Sequence, residues 1–141
     1  DSSGKGRNGV ANGNAQLDVG QKKWGSASLM LDGTGDRVNV SDNAAWTPGT
    51  NFTVEAWIYP TDLSAARTIV SHGSGNTNNE WRLDVGTDGR LRFTQTVTGV
   101  NNIALQTAAG EIVINQWQHV AMVKQGNTYR FFVDGALVYS T

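Results

Sequence analysis

Two histidines, twelve Asp and Glu residues, five tryptophans and no cysteine are the chemical equipment of this 141-residue chain. Without cysteine there is no thiolate catalysis, no disulfide and no cysteine-type zinc site. His72 and His119 are framed by neither a G-x-S-x-G elbow nor an H-E-x-x-H pair, and no strand sets several carboxylates on one face, as a glycosidase pair requires. Glu55 and His119 form the one dyad the pattern offers. It reads as a hydrogen bond that orders a sheet rather than as a base beside a nucleophile. Gly4-Lys5-Gly6-Arg7-Asn8-Gly9 spells a dinucleotide-binding loop, yet only three residues stand ahead of it and no helical pattern follows to hold a pyrophosphate. Asp32-Gly-Thr-Gly-Asp36 and the loops at Asp42, Asp88 and Asp134 offer oxygen ligands of the kind Ca²⁺ takes, without the spacing of an EF-hand loop. Asp before Gly reads first as turn chemistry, so no cofactor is required and Ca²⁺ stays an open alternative.

These side chains have to be positioned by strands. From Leu29 onward, short runs of β-branched and aromatic residues alternate with Gly, Asn, Asp and Thr, and no 3.6-residue period lasts beyond about two turns. The runs predict strands over 29–31, 37–40, 52–59, 67–71, 80–85, 90–96, 103–106, 112–114, 117–124, 129–133 and 136–139. Asp32-Gly33, Asp88-Gly89 and Asp134-Gly135 supply the positive φ values of tight turns. They predict hairpins around Gly86-Thr87-Asp88-Gly89 and Gln125-Gly126-Asn127-Thr128. Residues 1–24 carry no such run and read as an irregular arm.

Alternation then assigns faces. In 52–59, Phe52, Val54, Ala56 and Ile58 form the core set, leaving Thr53, Glu55, Trp57 and Tyr59 on the other side. In 117–124, Val120 and Met122 are core, which puts Trp117, His119, Ala121 and Val123 opposite. Arg130 has the parity opposite to Tyr129, Phe131 and Val133. Trp81 shares parity with Leu83 and Val85 and belongs to the core, whereas Trp24 and Trp46 are expected to plug the ends of a sandwich. An outer face carrying Glu55, Trp57, Tyr59, Trp117, His119 and Arg130 has aromatic rings to stack on a sugar and polar groups to orient it.

Charge narrows the partners. Eleven Lys and Arg against twelve Asp and Glu give a net charge of −1, with no field to attract nucleic acid or an anionic membrane. No window approaches a membrane span, and the first residues lack the composition of a signal peptide. Asn39-Val-Ser41 and Asn51-Phe-Thr53 have the form of glycosylation sequons.

Four segments in this order add a resemblance: Trp24-Gly-Ser-Ala-Ser-Leu-Met-Leu-Asp-Gly-Thr-Gly-Asp36, Phe52-Thr-Val-Glu-Ala-Trp-Ile-Tyr-Pro60, Trp117-Gln-His-Val-Ala-Met-Val123 and Phe132-Val-Asp-Gly135. Together they resemble the laminin G-like domains of the concanavalin A-like lectin/glucanase superfamily, with pentraxins as more distant relatives. The resemblance covers the whole chain, 1–141, as a single domain, and implies an all-β, two-sheet antiparallel jelly-roll sandwich. In pentraxins a disulfide joins the positions that match Glu55 and Ala121, which agrees with the parity of these two residues. The catalytic carboxylate strand of the glucanase members has no match, so the resemblance also implies a protein that is not an enzyme. Relatives extend beyond both ends of this chain, which implies either a longer polypeptide or completion of an edge strand by a partner or a second copy. The expected function is non-catalytic carbohydrate binding or adhesion outside the cell, at a cell surface or on a virion, through Glu55, Trp57, Tyr59, Trp117, His119 and Arg130. The alternative is a structural component of a virus particle or other assembly that docks another protein chain.

Overall fold

The computed structural model describes residues 4–73, 80–97 and 100–141; Asp1, Ser2 and Ser3, where the resemblance begins, lie outside the described residues. The chain divides into two compact units, Asp1–Trp46 and Thr47–Thr141.

The first unit holds four three-residue strands, β1 (Val10–Asn12), β2 (Gln16–Asp18), β3 (Ser28–Met30) and β4 (Arg37–Asn39), and a 3₁₀ turn at Ala44–Trp46. β1 pairs antiparallel with β4, and β2 with β3. The irregular arm expected over residues 1–24 is therefore corrected. β1 and β2 lie inside it, and their short Val-Ala-Asn and Gln-Leu-Asp runs are made into strands by distant partners rather than by propensity. Trp24 is also corrected: it is 70% exposed, with the Lys23 ammonium 5.5 Å from its ring, and is not a buried plug. Trp46 is half-buried, donates from Nε1 to the Ser41 carbonyl at 3.2 Å and carries the Arg7 guanidinium 4.7 Å over its ring. The Asp32–Asp36 loop closes on itself. Asp36 accepts the backbone N–H groups of Asn14 at 2.7 Å and Asp32 at 2.9 Å, while Asp32 accepts Thr34 N–H at 2.6 Å and the Asn14 side-chain amide at 3.1 Å. These bonds, the Thr34 one first, hold the Asp32 carboxyl below its ordinary pKa.

Among the described residues the second unit holds eight strands: β5 (Asn51–Ile58), β6 (Arg67–His72), β7 (Glu80–Val85), β8 (Leu91–Val97), β9 (Val100–Gln106), β10 (Gln118–Gln125), β11 (Thr128–Val133) and β12 (Ala136–Ser140). They form two four-stranded antiparallel sheets, ordered β12-β11-β10-β5 and β6-β7-β8-β9. Leu83, Val85, Leu91 and Phe93 from one sheet and Val120, Met122, Tyr129, Phe131 and Val133 from the other make one buried core. Trp81 packs against it as expected, its ring stacked on Phe93 with centroids 6.4 Å apart. This is the all-β sandwich that the alternation implies.

The hairpins follow their turn residues. Asp134 (φ +50°) and Gly135 (φ +81°) both adopt positive φ between β11 and β12, the geometry of a type I′ turn. Gly126 (φ +58°) opens the two-residue connection from β10 to β11. The run 112–114 is not a strand. Ile112 is buried as a core plug, its N–H donates to the Gly89 carbonyl at 2.9 Å, and the next N–H is taken by a side chain, so no ladder can form. That side chain is Gln118, 4% exposed: it accepts from Val113 N–H at 2.8 Å and donates to the Glu111 carbonyl at 3.0 Å.

Candidate functional site

The β5–β10 pairing decides where the expected site residues stand. Ala121 lies directly opposite Glu55, and His119 directly opposite Trp57. Val123 and Phe132 of the neighbouring pair sit opposite Arg130 and Ala121. Three rows therefore cross the outer face of this sheet: Trp57–His119, then Glu55–Ala121–Phe132–Leu137, then Thr53–Val123–Arg130–Ser140. Burial alternates along β5 and β11 as it must for a sheet with one face in the core.

The aromatic end is built from two ring pairs. Trp57 is 39% exposed and its ring lies 5.3 Å from that of His119. Tyr59 and Trp117, just beyond the paired strands, face each other at 5.5 Å and are half-buried. The Trp117 indole Nε1 is fully enclosed without a hydrogen-bond partner, an uncompensated donor in a fold that satisfies nearly all of them. His119 Nε2 lies 3.6 Å from Glu55 Oε2, with the Glu55 side chain 62% exposed. That separation is an ion pair when the imidazole is protonated and too long for a good hydrogen bond.

His119 is fixed by its backbone. Its N–H donates to Asp134 Oδ1 at 2.8 Å, and its carbonyl accepts the Asp134 N–H at 2.8 Å. The loop that leads into Trp117 is tied down on its other side, where Asn115 N–H donates to the Pro60 carbonyl at 2.7 Å.

Five of the six expected residues gather at one end of the face, and Arg130 does not join them. From strand spacing and rise, its Cα lies about 16 Å from that of Trp57. Its guanidinium donates to Gln125 Oε1 at 3.3 Å instead. Between them runs the row that starts at Glu55 and turns apolar beyond Ala121, where Phe132 is half-buried and Leu137 is 55% exposed. Phe132 shares the parity of Arg130, so alternation alone could have placed it on this face. Leu137 is legible only from its pairing, because a register shift between Phe131 and Phe132 changes which residues meet.

The other carboxylates act locally. Asp134 holds His119, Asp88 pairs with Arg90 at 2.7 Å, and Asp32 and Asp36 close their own loop. Among the described residues no group of three or more His, Asp or Glu side chains converges as metal ligands do. No helix among them is long and apolar enough to cross a membrane.

A laminin G-type family model, described as the Concanavalin A-like lectin/glucanases superfamily, matches residues 32–141. Among solved structures, the chain is similar to an S-layer domain-containing protein from Clostridium thermocellum, at 25% identity and a TM-score of 0.54. The match covers 92% of this chain and 60% of that one, so this chain spans less than two thirds of its length. No curated protein matches.

Proposed function

From a chain that belongs to the concanavalin A-like lectin/glucanases superfamily, we propose a non-catalytic carbohydrate-binding module that works at a cell surface or otherwise outside the cell. The observation that carries this reading is Trp57 set directly opposite His119 with its ring still 39% exposed, beside the open carboxylate of Glu55. An indole offers an apolar plate to the C–H face of a pyranose, while Glu55 and His119 offer directional hydrogen bonds to its hydroxyls. Tyr59 and Trp117 buttress that end, and Arg130 meets a ligand long enough to cross the row of Phe132. The surface setting is supported by the S-layer title of the similar Clostridium thermocellum protein. The non-catalytic reading is supported by Asp134, the carboxylate beside His119, whose Oδ1 is taken up by the His119 backbone N–H in holding the β11–β12 turn.

The test is titration of neutral oligosaccharides into the wild-type protein and Trp57→Ala by calorimetry. Loss of one stacked aromatic anchor of about 2 kcal/mol weakens binding roughly 30-fold. Unchanged affinity in a folded Trp57→Ala refutes the reading.

A second reading rests on the exposed Leu137 beside Phe132. This apolar row docks another protein chain in an assembly, such as a surface layer or a virus particle. Leu137→Lys then abolishes oligomers seen by light scattering and leaves sugar affinity unchanged.

A further inference from the structure

The outer face of the β6–β9 sheet carries a different chemistry. Leu83, Val85, Leu91 and Phe93 point into the core, so Arg82, Asp84, Arg92 and Thr94 stand on the opposite face. Asp84 and Arg92 are direct cross-strand partners, and Arg82 sits on the diagonal, opposite Thr94. Although it belongs to an outer face, Asp84 is only 3% exposed. Its Oδ1 accepts the Arg92 Nε–H at 2.7 Å, and its Oδ2 meets Arg82 Nε at 2.8 Å. A buried carboxylate requires compensation, and one guanidinium is enough to supply it. The second leaves the cluster with a surplus positive charge.

That surplus is presented rather than hidden. The Arg82 side chain is 50% exposed and that of Arg92 is 32% exposed. Both contacts to Asp84 are made through Nε, leaving the Nη donors at the outer end of each guanidinium. The tip of Arg92 lies over Gly86, in space that only a glycine leaves open, since a Cβ there would stand 3.3 Å from its Nη1. Asp88, paired with Arg90 at 2.7 Å, also faces the Arg92 guanidinium and adds to the hold of Asp84 on it, so Arg82, Arg90 and Arg92 stand against Asp84 and Asp88 with one positive charge in surplus. Glu80, one pair further along β7, stands opposite Thr96 and leans on Gly73. The cross-strand neighbours are uncharged hydrogen-bonding side chains: Thr68 opposite Asp84, Ser71 opposite Arg82 and Gln106 opposite Arg92. Guanidinium forks held in place before binding match planar oxyanions and lose little freedom on contact. With a net chain charge of −1, attraction comes from this local geometry and not from a long-range field.

The geometry points to a second binding face for an acidic saccharide, in which Arg82 and Arg92 grip a carboxylate or sulfate oxyanion and Asp84 serves as their positioning residue. Thr68, Thr94 and Gln106 hydrogen-bond the adjoining hydroxyls. This site is on the other sheet from Trp57 and stands or falls separately from the proposal above.

The test is calorimetric titration with three probes: a tetragalacturonate, its fully methyl-esterified form and a sulfated galactan tetrasaccharide. Wild-type protein binds at least one acidic probe about tenfold or more tighter than the ester, and Arg82→Gln and Arg92→Gln each remove that advantage. Trp57→Ala leaves it intact. Tight binding of the uronate alone identifies a carboxylate site, and binding of both acidic probes identifies a general oxyanion site. Circular dichroism checks each variant, and if Arg92→Gln does not fold, the more exposed Arg82→Gln decides. Equal affinity for the ester, no binding of either acidic probe, or full retention of affinity in Arg82→Gln overturns the proposal.

Discussion

Replacing Gln118 by glutamate turns one buried amide into a pH-dependent test of how the loop at 111–116 is held. The native side chain is 4% exposed, donates to the Glu111 carbonyl and accepts from the Val113 N–H. A glutamate has the same shape. As a carboxylic acid it can also donate once and accept once, but as a carboxylate it can only accept, and it faces the Glu111 carbonyl with a second acceptor. The lost bond and the repulsion at a site away from water cost about 3 kcal/mol, at the upper end of the range for an unsatisfied buried group. That cost falls on the ionised form alone, so it raises the carboxyl above its unfolded value. A folded pKa above the unfolded one means that the protonated form is the stabilised one. The stability of Gln118→Glu is therefore full below the unfolded carboxyl range, at about pH 4, and is lost as pH rises through the raised folded value. Urea denaturation followed by tryptophan fluorescence reads this as a midpoint near wild type at pH 4 and about 1–2 M lower at pH 7.5. Gln118→Ala loses both bonds and shows a deficit of similar size at both pH values. Equal stability of Gln118→Glu and wild type at pH 7.5, or the same deficit at pH 4, would refute the assignment.

Other outcomes follow from single positions. Trp57→Ala lowers stability by about 2 kcal/mol, because some 60% of its surface is covered and alanine replaces part of that contact; thermal melting shows a folded protein with a reduced midpoint. Asp134→Ala costs about 1–2 kcal/mol by losing the bond to His119 N–H and by placing alanine at φ +50°, whereas Asp134→Asn costs less than about 0.5 kcal/mol; urea midpoints separate the two. Burial pushes the Tyr129 phenol above its ordinary pKa, so the neutral form is the one the fold favours, and its contribution is full below about pH 10 and lost above. Tyr129→Phe removes that alkaline loss, visible as a smaller drop in urea midpoint between pH 8 and pH 11.

The sandwich was legible because its strands alternate cleanly: parity alone placed Val54, Val120 and Phe131 inward and Glu55, Trp57 and His119 outward, as the pairing has them. Asp134-Gly135 announced its hairpin through the φ values it can adopt. Three-residue strands such as Val10–Asn12 left no pattern to read, since pairing with Arg37–Asn39 creates them. Ile112–Ile114 looked like a strand because apolar composition cannot tell a core plug from a ladder. The Arg82–Asp84–Arg92 cluster was hidden for another reason. Charges two residues apart on one strand and across to the next read as a solvated face until the register brings both guanidinium groups onto one carboxylate.

The most direct test of the binding face is a two-dimensional ¹H–¹⁵N NMR titration of the labelled protein with a neutral oligosaccharide that binds in the calorimetric screen. The account predicts that the largest shifts fall on the Trp57 indole and on the amides of Glu55, Trp57 and His119. Smaller ones reach Tyr59, Trp117 and Arg130, and the amides of β6–β9 stay still. Shifts confined to β6–β9, or to the row of Phe132 and Leu137 without the Trp57 indole, would contradict it.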